Sequence, residues 1–329
     1  MKEKSIQTRE KSLPAYSLQF FLIAMFIAIA LLLSGPHVFA GQEEHLPKVL
    51  HVAFSTRIFP DVDHSDARIA MELWAKELSR KAGIPHAHVT LFTNPDAIEG
   101  MVRRGDIHLV ILPPADYLAW RRLPLVPAYV AANKSGKEME YLLVVRRDSG
   151  LSGVRDLRGK TLALSSAAKD PIGFLWITVL TLREGVGDAG CFIGKFLEVH
   201  KSSKAVLGVF FRQYQAAIVS RGSLETCIAV NPQLGKELTV IASSKSMIGE
   251  ISCIPSRVGK RLRESMDNAA VTLHETPAGR QIATLFRINR VIPFNPSYLE
   301  GLEDLLRERD RLAKIRVKKP CKDGRGKMQ

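Results

Sequence analysis

The chain contains 329 residues, of which 46% are hydrophobic and 24% are charged. This length and composition suffice for a buried core in one or two domains, so they exclude a chain that is disordered throughout. The formal net charge of +14 suits an anionic ligand, an anionic membrane surface or nucleic acid as a partner.

The N-terminal segment has the pattern of a secretory signal. Four basic residues come first: Lys2, Lys4, Arg9 and Lys11. An apolar run over 20–33 follows, and small residues lead up to Ala40, so we predict that residues 1–40 are a signal peptide cleaved after Ala40. The run is shorter than the roughly 20 residues that a membrane-spanning helix needs, and an uncleaved anchor is the alternative. The remainder of the chain is expected in the periplasm.

Export argues against a nucleic-acid partner. The basic residues are also spread along the chain, with clusters only over 257–263 and 314–327. We therefore expect no nucleic acid as a partner, and we predict that residues 313–329 form a disordered basic tail.

The cysteines give no sign of a metal site. The chain has four of them, Cys191, Cys227, Cys253 and Cys321, without a C-x-x-C pair and without His at metal-ligand spacing. An oxidising compartment permits disulfides, and the three possible full pairings and unpaired thiols all stay open. No motif for a cofactor is present either, so neither a metal nor a cofactor is expected.

Strands and helices alternate along the first half of the exported chain. The patterns predict buried strands over 49–54, 89–92 and 107–112 and helices over 65–82 and 97–104. This alternation is typical of a parallel α/β sheet.

A second unit of the same kind follows. A strand over 141–145 leads out of the first unit, and the patterns then predict strands over 161–164, 196–199 and 216–219, helices over 172–184 and 202–211, a returning extended segment over 250–254, and helices over 257–273, 278–286 and 296–312. We therefore predict two α/β lobes around a cleft: lobe 1 over 41–145, lobe 2 over 146–245, and a return to lobe 1 with C-terminal helices over 246–312.

The most informative stretch is 156–173, where a short strand runs into a loop of small residues and then a helix. Such a loop turns backbone N–H groups outward, and the helix dipole favours a bound anion there. Ser165 and Ser166 end the strand and are predicted ligand contacts, with helix capping as the alternative. His200 lies at a helix start and is a further predicted ligand contact, with helix capping or a surface role as the alternative. Gln215 is predicted at a strand edge that faces the cleft, where it would donate to a carboxyl or phosphoryl oxygen, and a plain sheet-end role is the alternative.

Lobe 1 offers a second set of candidates. Ser55 and Thr56 end its first strand and face the same cleft in this topology, and Tyr117 is placed to close over a ligand. Core packing of the Tyr117 ring is the alternative. Arg57 and Arg221 follow strands in loops and are the basic residues of most interest near a pocket.

Several motifs resemble the periplasmic substrate-binding components of phosphonate, phosphite and phosphate ABC transporters. The resemblance spans 49–312 and is carried by four segments: 97–117 with Gly105-Asp106-Ile107 and Ala115-Asp116-Tyr117, 141–164 with Asp156-Leu157-Arg158-Gly159-Lys160-Thr161, 200–219, and 276–298 with Thr276-Pro277-Ala278-Gly279. It implies a two-lobe type II periplasmic binding fold with a central cleft and crossover hinge strands.

The chain departs from that family in the ligand loop. Where the resemblance implies hydroxyls that hold phosphonate oxygens, this chain reads Ala167-Ala168-Lys169-Asp170-Pro171. Lys169 and Lys201 favour an anion, whereas Asp170 opposes one by charge repulsion and desolvation. Where an Asp of the family would contact a cationic amine, this chain has Gln215, and a neutral amide cannot neutralise a charge. The resemblance therefore implies the fold with an altered specificity, away from aminoalkylphosphonates.

Together these patterns predict an exported, monomeric solute-binding protein. It would capture a small phosphonate-, phosphite- or phosphate-like anion for an ABC permease, and the alternative is a ligand-sensing input subunit for a membrane histidine kinase or other receptor. No G-x-S-x-G elbow and no triad arrangement is present, so we expect no enzyme activity.

Overall fold

A computed structural model describes residues 45–58, 64–94, 96–132, 138–165, 171–285 and 288–316. The predicted signal peptide and almost all of the predicted basic tail lie outside the described residues. Within the described ranges, no helix combines the length and the apolar character needed to cross a membrane.

The described chain contains thirteen strands: β1 Val49–Ser55, β2 His86–Phe92, β3 Leu109–Leu112, β4 Leu125–Ala132, β5 Glu138–Met139, β6 Tyr141–Arg146, β7 Thr161–Ser165, β8 Lys195–Val199, β9 Ala216–Ser220, β10 Leu238–Ser243, β11 Met247–Ile248, β12 Ile251–Pro255 and β13 Arg290–Pro293. Its helices are α1 His64–Lys81, α2 Asp96–Arg104, α3 Pro114–Ala119, α4 Pro171–Arg183, α5 Ala189–Phe192, α6 Ser202–Phe210, α7 Arg221–Val230, α8 Gln233–Glu237, α9 Lys260–Val271, α10 Pro277–Leu285 and α11 Glu300–Arg316.

The first sheet has the strand order β13-β4-β12-β3-β1-β2. Its strands β2, β1 and β3 are parallel, and β12 runs antiparallel to β3. Successive residues of β1 point to opposite faces, so Val52 packs with Trp74 of α1 on one face and Ala53 packs with Val102 of α2 on the other. Helices on both faces bury the sheet, which explains the nearly continuous apolar strands.

The second sheet has the strand order β10-β6-β9-β7-β8, in which β7, β8 and β9 are parallel. Strand β6 pairs with β9 and β10 and is therefore part of this sheet. The predicted boundary of lobe 1 at residue 145 is wrong on this point, because 141–145 belongs to the second sheet. A strand is assigned by its hydrogen-bonded neighbours, which are distant in sequence here and invisible to a local pattern.

Two crossovers connect the sheets. One runs from β4 through β5 to β6, and the other runs from β10 through β11 to β12. Strands β5 and β11 pair antiparallel, with Met247 opposite Met139, so the crossovers form a two-stranded hinge ribbon.

The C-terminal helix α11 packs on the second lobe, although it follows the return of the chain to the first. Leu302 and Leu305 join the hydrophobic cluster that also holds Trp176 of α4. Two hydrogen bonds of 2.7 and 2.6 Å between Arg183 and Glu308 tie α4 to α11. Helix α11 therefore adds a third connection between the two lobes.

Candidate functional site

The carboxyl ends of the parallel strands in both sheets lie beside the hinge ribbon. In the first sheet, Ile251 at the start of the returning strand β12 pairs with Leu112 at the end of β3. In the second sheet, Tyr141 at the start of β6 pairs with Ser220 at the end of β9. The crossovers thus join these two edges, and the carboxyl edge of parallel strands is where α/β proteins bind ligands.

The first-lobe edge gathers hydroxyl groups. Ser55 is fully buried, and its Oγ accepts a hydrogen bond of 3.3 Å from the backbone N–H of Arg57. The hydroxyls of Thr56 and Thr93 lie 2.8 Å apart at the ends of β1 and β2. Because a hydroxyl can donate or accept, Thr56 suits an oxygen-rich ligand, whereas Ser55 is enclosed and supports the turn.

An ion pair lies at the same edge. Arg57 Nη1 donates to Asp116 Oδ1 over 2.7 Å, and the two side chains are only 18% and 5% exposed. Burial raises the pKa of Asp116 to about 6, and the adjacent guanidinium opposes this shift only in part. Arg57 Nε and Asp116 Oδ2 are buried without a hydrogen-bond partner in the part of the chain that the structure describes.

Tyr117 follows Asp116 on the short helix α3. Its ring packs in the first-lobe cluster with Val110 and Leu112, and burial raises the pKa of its hydroxyl. This position agrees better with core packing of the Tyr117 ring than with a ring that closes over a ligand.

The second-lobe edge contains two of the predicted contacts within the described residues. Ser165 ends β7 opposite Val199 of β8, and the exposed His200 follows directly. The structure thus brings Ser165 and His200 to one edge. Ser166 and Lys169 lie outside the described residues.

Two helices begin at this second-lobe edge without an acidic residue in their first turns. They are α6, preceded by Lys201, and α7, where Ser220 Oγ accepts a hydrogen bond of 3.2 Å from the N–H of Ser223. The positive ends of their dipoles are not offset by a first-turn carboxylate, so this edge favours an anion.

Arg221 is held by the hinge. Its Nε donates to Glu140 Oε2 over 2.5 Å, and its backbone N–H donates to the Glu140 carbonyl over 2.8 Å. The guanidinium lowers the pKa of Glu140. Arg221 therefore reaches the predicted edge, but its Nε is already used by an acidic partner.

The predicted placement of Gln215 is wrong. Its Oε1 accepts a hydrogen bond of 3.0 Å from the N–H of Thr161, which is the first residue of β7. Gln215 precedes β9, which is parallel to β7, so it lies at the amino edge, away from Ser165 and Ser220. The error has a simple cause, because a sequence pattern marks the two ends of a short strand equally, and only the pairing of β9 with β7 shows which end Gln215 occupies.

Glu250 links the two crossovers at the first-lobe end of the hinge. Its Oε1 accepts a hydrogen bond of 2.5 Å from the N–H of Ala131, at the end of β4. Desolvation raises its pKa to about 7 and also raises the pKa of the buried Cys253 thiol nearby.

Sequence reasoning missed three carboxylates at these edges: Asp116, Glu140 and Glu250. Asp116 stands in the Ala115-Asp116-Tyr117 motif, which is the sequence signal for it. Glu140 and Glu250 flank the short hinge strands, and no local pattern distinguishes them from surface acids. Among the described residues, no group of three or more His, Cys, Asp or Glu is arranged to hold a metal ion.

A family model matches residues 57–299, and its description is a periplasmic substrate-binding protein of a phosphonate ABC transporter. No match to a curated protein sequence is significant.

Solved structures share the fold at low sequence identity. A binding protein component of an ABC phosphonate transporter from Pseudomonas aeruginosa is 13% identical, with a TM-score of 0.64 over 82% of this chain and 89% of that one. PhnD1 from Prochlorococcus marinus in complex with methylphosphonate is 17% identical, with a TM-score of 0.61 over 81% of this chain and 100% of that one. These similarities confirm the predicted two-lobe type II periplasmic binding fold.

Proposed function

This chain belongs to the family of periplasmic substrate-binding proteins of phosphonate ABC transporters, and from this premise we propose that it captures a small phosphonate-, phosphite- or phosphate-like anion in the periplasm and delivers it to an ABC permease. The observation that carries the proposal is the meeting of two carboxyl strand edges at one hinge ribbon. No observation favours a receptor as the partner, so the sensor alternative is not carried further.

The charges at the second-lobe edge support an anionic ligand. His200 and Lys201 precede α6, and neither α6 nor α7 has an acidic residue in its first turn. Backbone N–H groups at such helix starts bind oxyanions. In this proposal, Ser165 at the end of β7 contributes to the same site, together with Ser166 and Lys169, which follow it in sequence.

The proposed mechanism is binding without catalysis. The ligand is gripped by the first-lobe edge, with Thr56, and by the second-lobe edge, with His200. Affinity for the closed arrangement shifts the open–closed population by hinge motion, and the closed monomer is the form offered to the permease.

A ligand screen tests the proposed function. Residues 41–329 are mixed with methylphosphonate, phosphite, phosphate, sulfate or acetate, and the melting temperature is measured. A phosphorus oxyanion at 100 times its Kd should stabilise the protein by about 2.7 kcal/mol, because only the folded state binds it. The double variant Ser166→Ala with Lys169→Ala should lose this shift. A protein that melts at the same temperature with every oxyanion contradicts the proposal.

A further inference from the structure

The Arg57–Asp116 ion pair lies at one edge of the first sheet. Arg57 follows β1, and Asp116 lies on α3, which follows β3, so both stand at the carboxyl edge of the first sheet. The neighbours Ala115 and Leu118 on α3 pack against the cluster of the second lobe that contains Tyr141 and Trp176. Helix α3, which carries Asp116, therefore contacts the second lobe.

This pair does not use all of its hydrogen-bonding groups. An Arg–carboxylate pair commonly forms two parallel hydrogen bonds, which would use both carboxylate oxygens. Here a single hydrogen bond of 2.7 Å joins Arg57 Nη1 to Asp116 Oδ1. Arg57 Nε and Asp116 Oδ2 have no partner among the described residues. The Asp116 side chain is nevertheless only 5% exposed. A buried ion pair with only a structural role is expected to have these groups satisfied.

The second lobe has fewer groups that could take this role. Arg221 uses its Nε on Glu140. Beyond Ser166, the sequence reads Ala167-Ala168-Lys169-Asp170-Pro171, without hydroxyls. Beside Arg57, in contrast, stand the paired hydroxyls of Thr56 and Thr93.

We propose that Arg57 is the principal oxyanion contact of the first lobe. Its planar guanidinium donates to the oxygens of a phosphonate-type ligand and so sets specificity, and Asp116 is the positioning residue that orients it. This inference rests on the proposed function, because it names a contact within the same site. The 18% of the Arg57 side chain that is exposed is the part a ligand oxygen reaches, and the bond to Asp116 fixes the guanidinium plane before the ligand arrives.

Titration calorimetry with methylphosphonate at pH 7.5 tests the contact in the full exported chain. Arg57→Lys keeps the charge and loses the planar fork, so affinity should fall about 10-fold, and Arg57→Ala should lower it about 100-fold. Arg146→Lys is the matched control, because Arg146 is 13% exposed, is paired with Asp148 and lies at the amino edge of the second sheet. It should bind as the wild type does.

Asp116→Asn covers the case in which the Arg57 variants do not fold. The amide oxygen still accepts the hydrogen bond from Arg57 Nη1, so the guanidinium stays oriented while a negative charge beside the ligand is removed, and affinity for methylphosphonate should rise about threefold or more. Wild-type affinity in Asp116→Asn, or in a folded Arg57→Ala, overturns the arginine contact and leaves the proposed function standing. A wild-type chain that binds none of the phosphorus oxyanions overturns the proposed function and this inference together.

Discussion

Glu250 is the residue at which burial and charge conflict most clearly. Its carboxyl accepts a hydrogen bond from the backbone N–H of Ala131 at the end of β4, and desolvation raises the pKa of Glu250 to about 7. The folded chain therefore keeps this proton in a pH range where the unfolded chain has lost it. Stability from this group is greatest below the ordinary carboxyl pKa and falls as pH rises toward 7. The hinge thus has a carboxyl whose ionisation weakens the folded state at neutral pH.

Replacing Glu250 by Gln removes that cost and keeps an oxygen acceptor for the Ala131 N–H. Glu250→Gln should match the wild type at pH 4.5 and exceed it at pH 8 by on the order of 1–2 kcal/mol, measured by urea unfolding at both values. Glu264→Gln, on an exposed part of α9, is the control and should show no such gain. A Glu250→Gln protein less stable than the wild type at pH 8 contradicts this account.

Helix α6 packs closely against the residues that precede strand β9. Gly208 of α6 lies against Tyr214, whose buried hydroxyl donates a hydrogen bond to the carbonyl of Lys204. A Cβ at position 208 would meet the Tyr214 hydroxyl at 2.1 Å, which is far inside van der Waals contact. The absence of a side chain at Gly208 therefore lets α6 pack closely against Tyr214.

Gly208→Ala should therefore destabilise the protein by about 1–3 kcal/mol, because the ring or the helix must move. The measurement is the midpoint of chemical unfolding. Gly222→Ala on α7 is the matched control, since no atom lies within 4 Å of its added Cβ, and it should be neutral or stabilising by up to about 1 kcal/mol. Equal midpoints for the two variants would show that α6 has room at Gly208.

At the scale of the whole molecule, helix α11 joins the two lobes in addition to the hinge. It follows the first-lobe strand β13 and packs on α4 of the second lobe, where Leu302 is 2% exposed. The Arg183–Glu308 pair reinforces this contact at a partly exposed position, where ion pairs contribute little. The apolar contact is therefore the main energetic connection between α11 and the second lobe.

Leu302→Ala should cost about 2–5 kcal/mol of stability, because it leaves a cavity in the second-lobe core. Ile315→Ala on the same helix is the control, since Ile315 is 59% exposed, and it should change stability by no more than about 0.5 kcal/mol. Equilibrium unfolding in urea measures both. A neutral Leu302→Ala would show that α11 is not docked on the second lobe.

Local patterns located most elements closely. The strand predicted over 161–164 is β7, and the helix predicted over 202–211 is α6 to within one residue. The patterns do not predict strand β4. It contains Pro127, which lacks an N–H for the ladder and is unusual in a central strand. Its pairing with β12 shifts register beside Pro127, and this irregularity accommodates the proline.

The sequence by itself determined the alternation of strands and helices, the two lobes and the family resemblance, because these depend on periodicity and on contiguous motifs. Only the tertiary structure decided which strand ends lie beside the hinge ribbon, and it placed Gln215 at the opposite edge. It also brought Arg57 to Asp116 across 59 residues of chain. The physical reason is that hydrogen bonding and burial depend on the path of the chain through space, and no local pattern encodes the neighbour that a side chain meets.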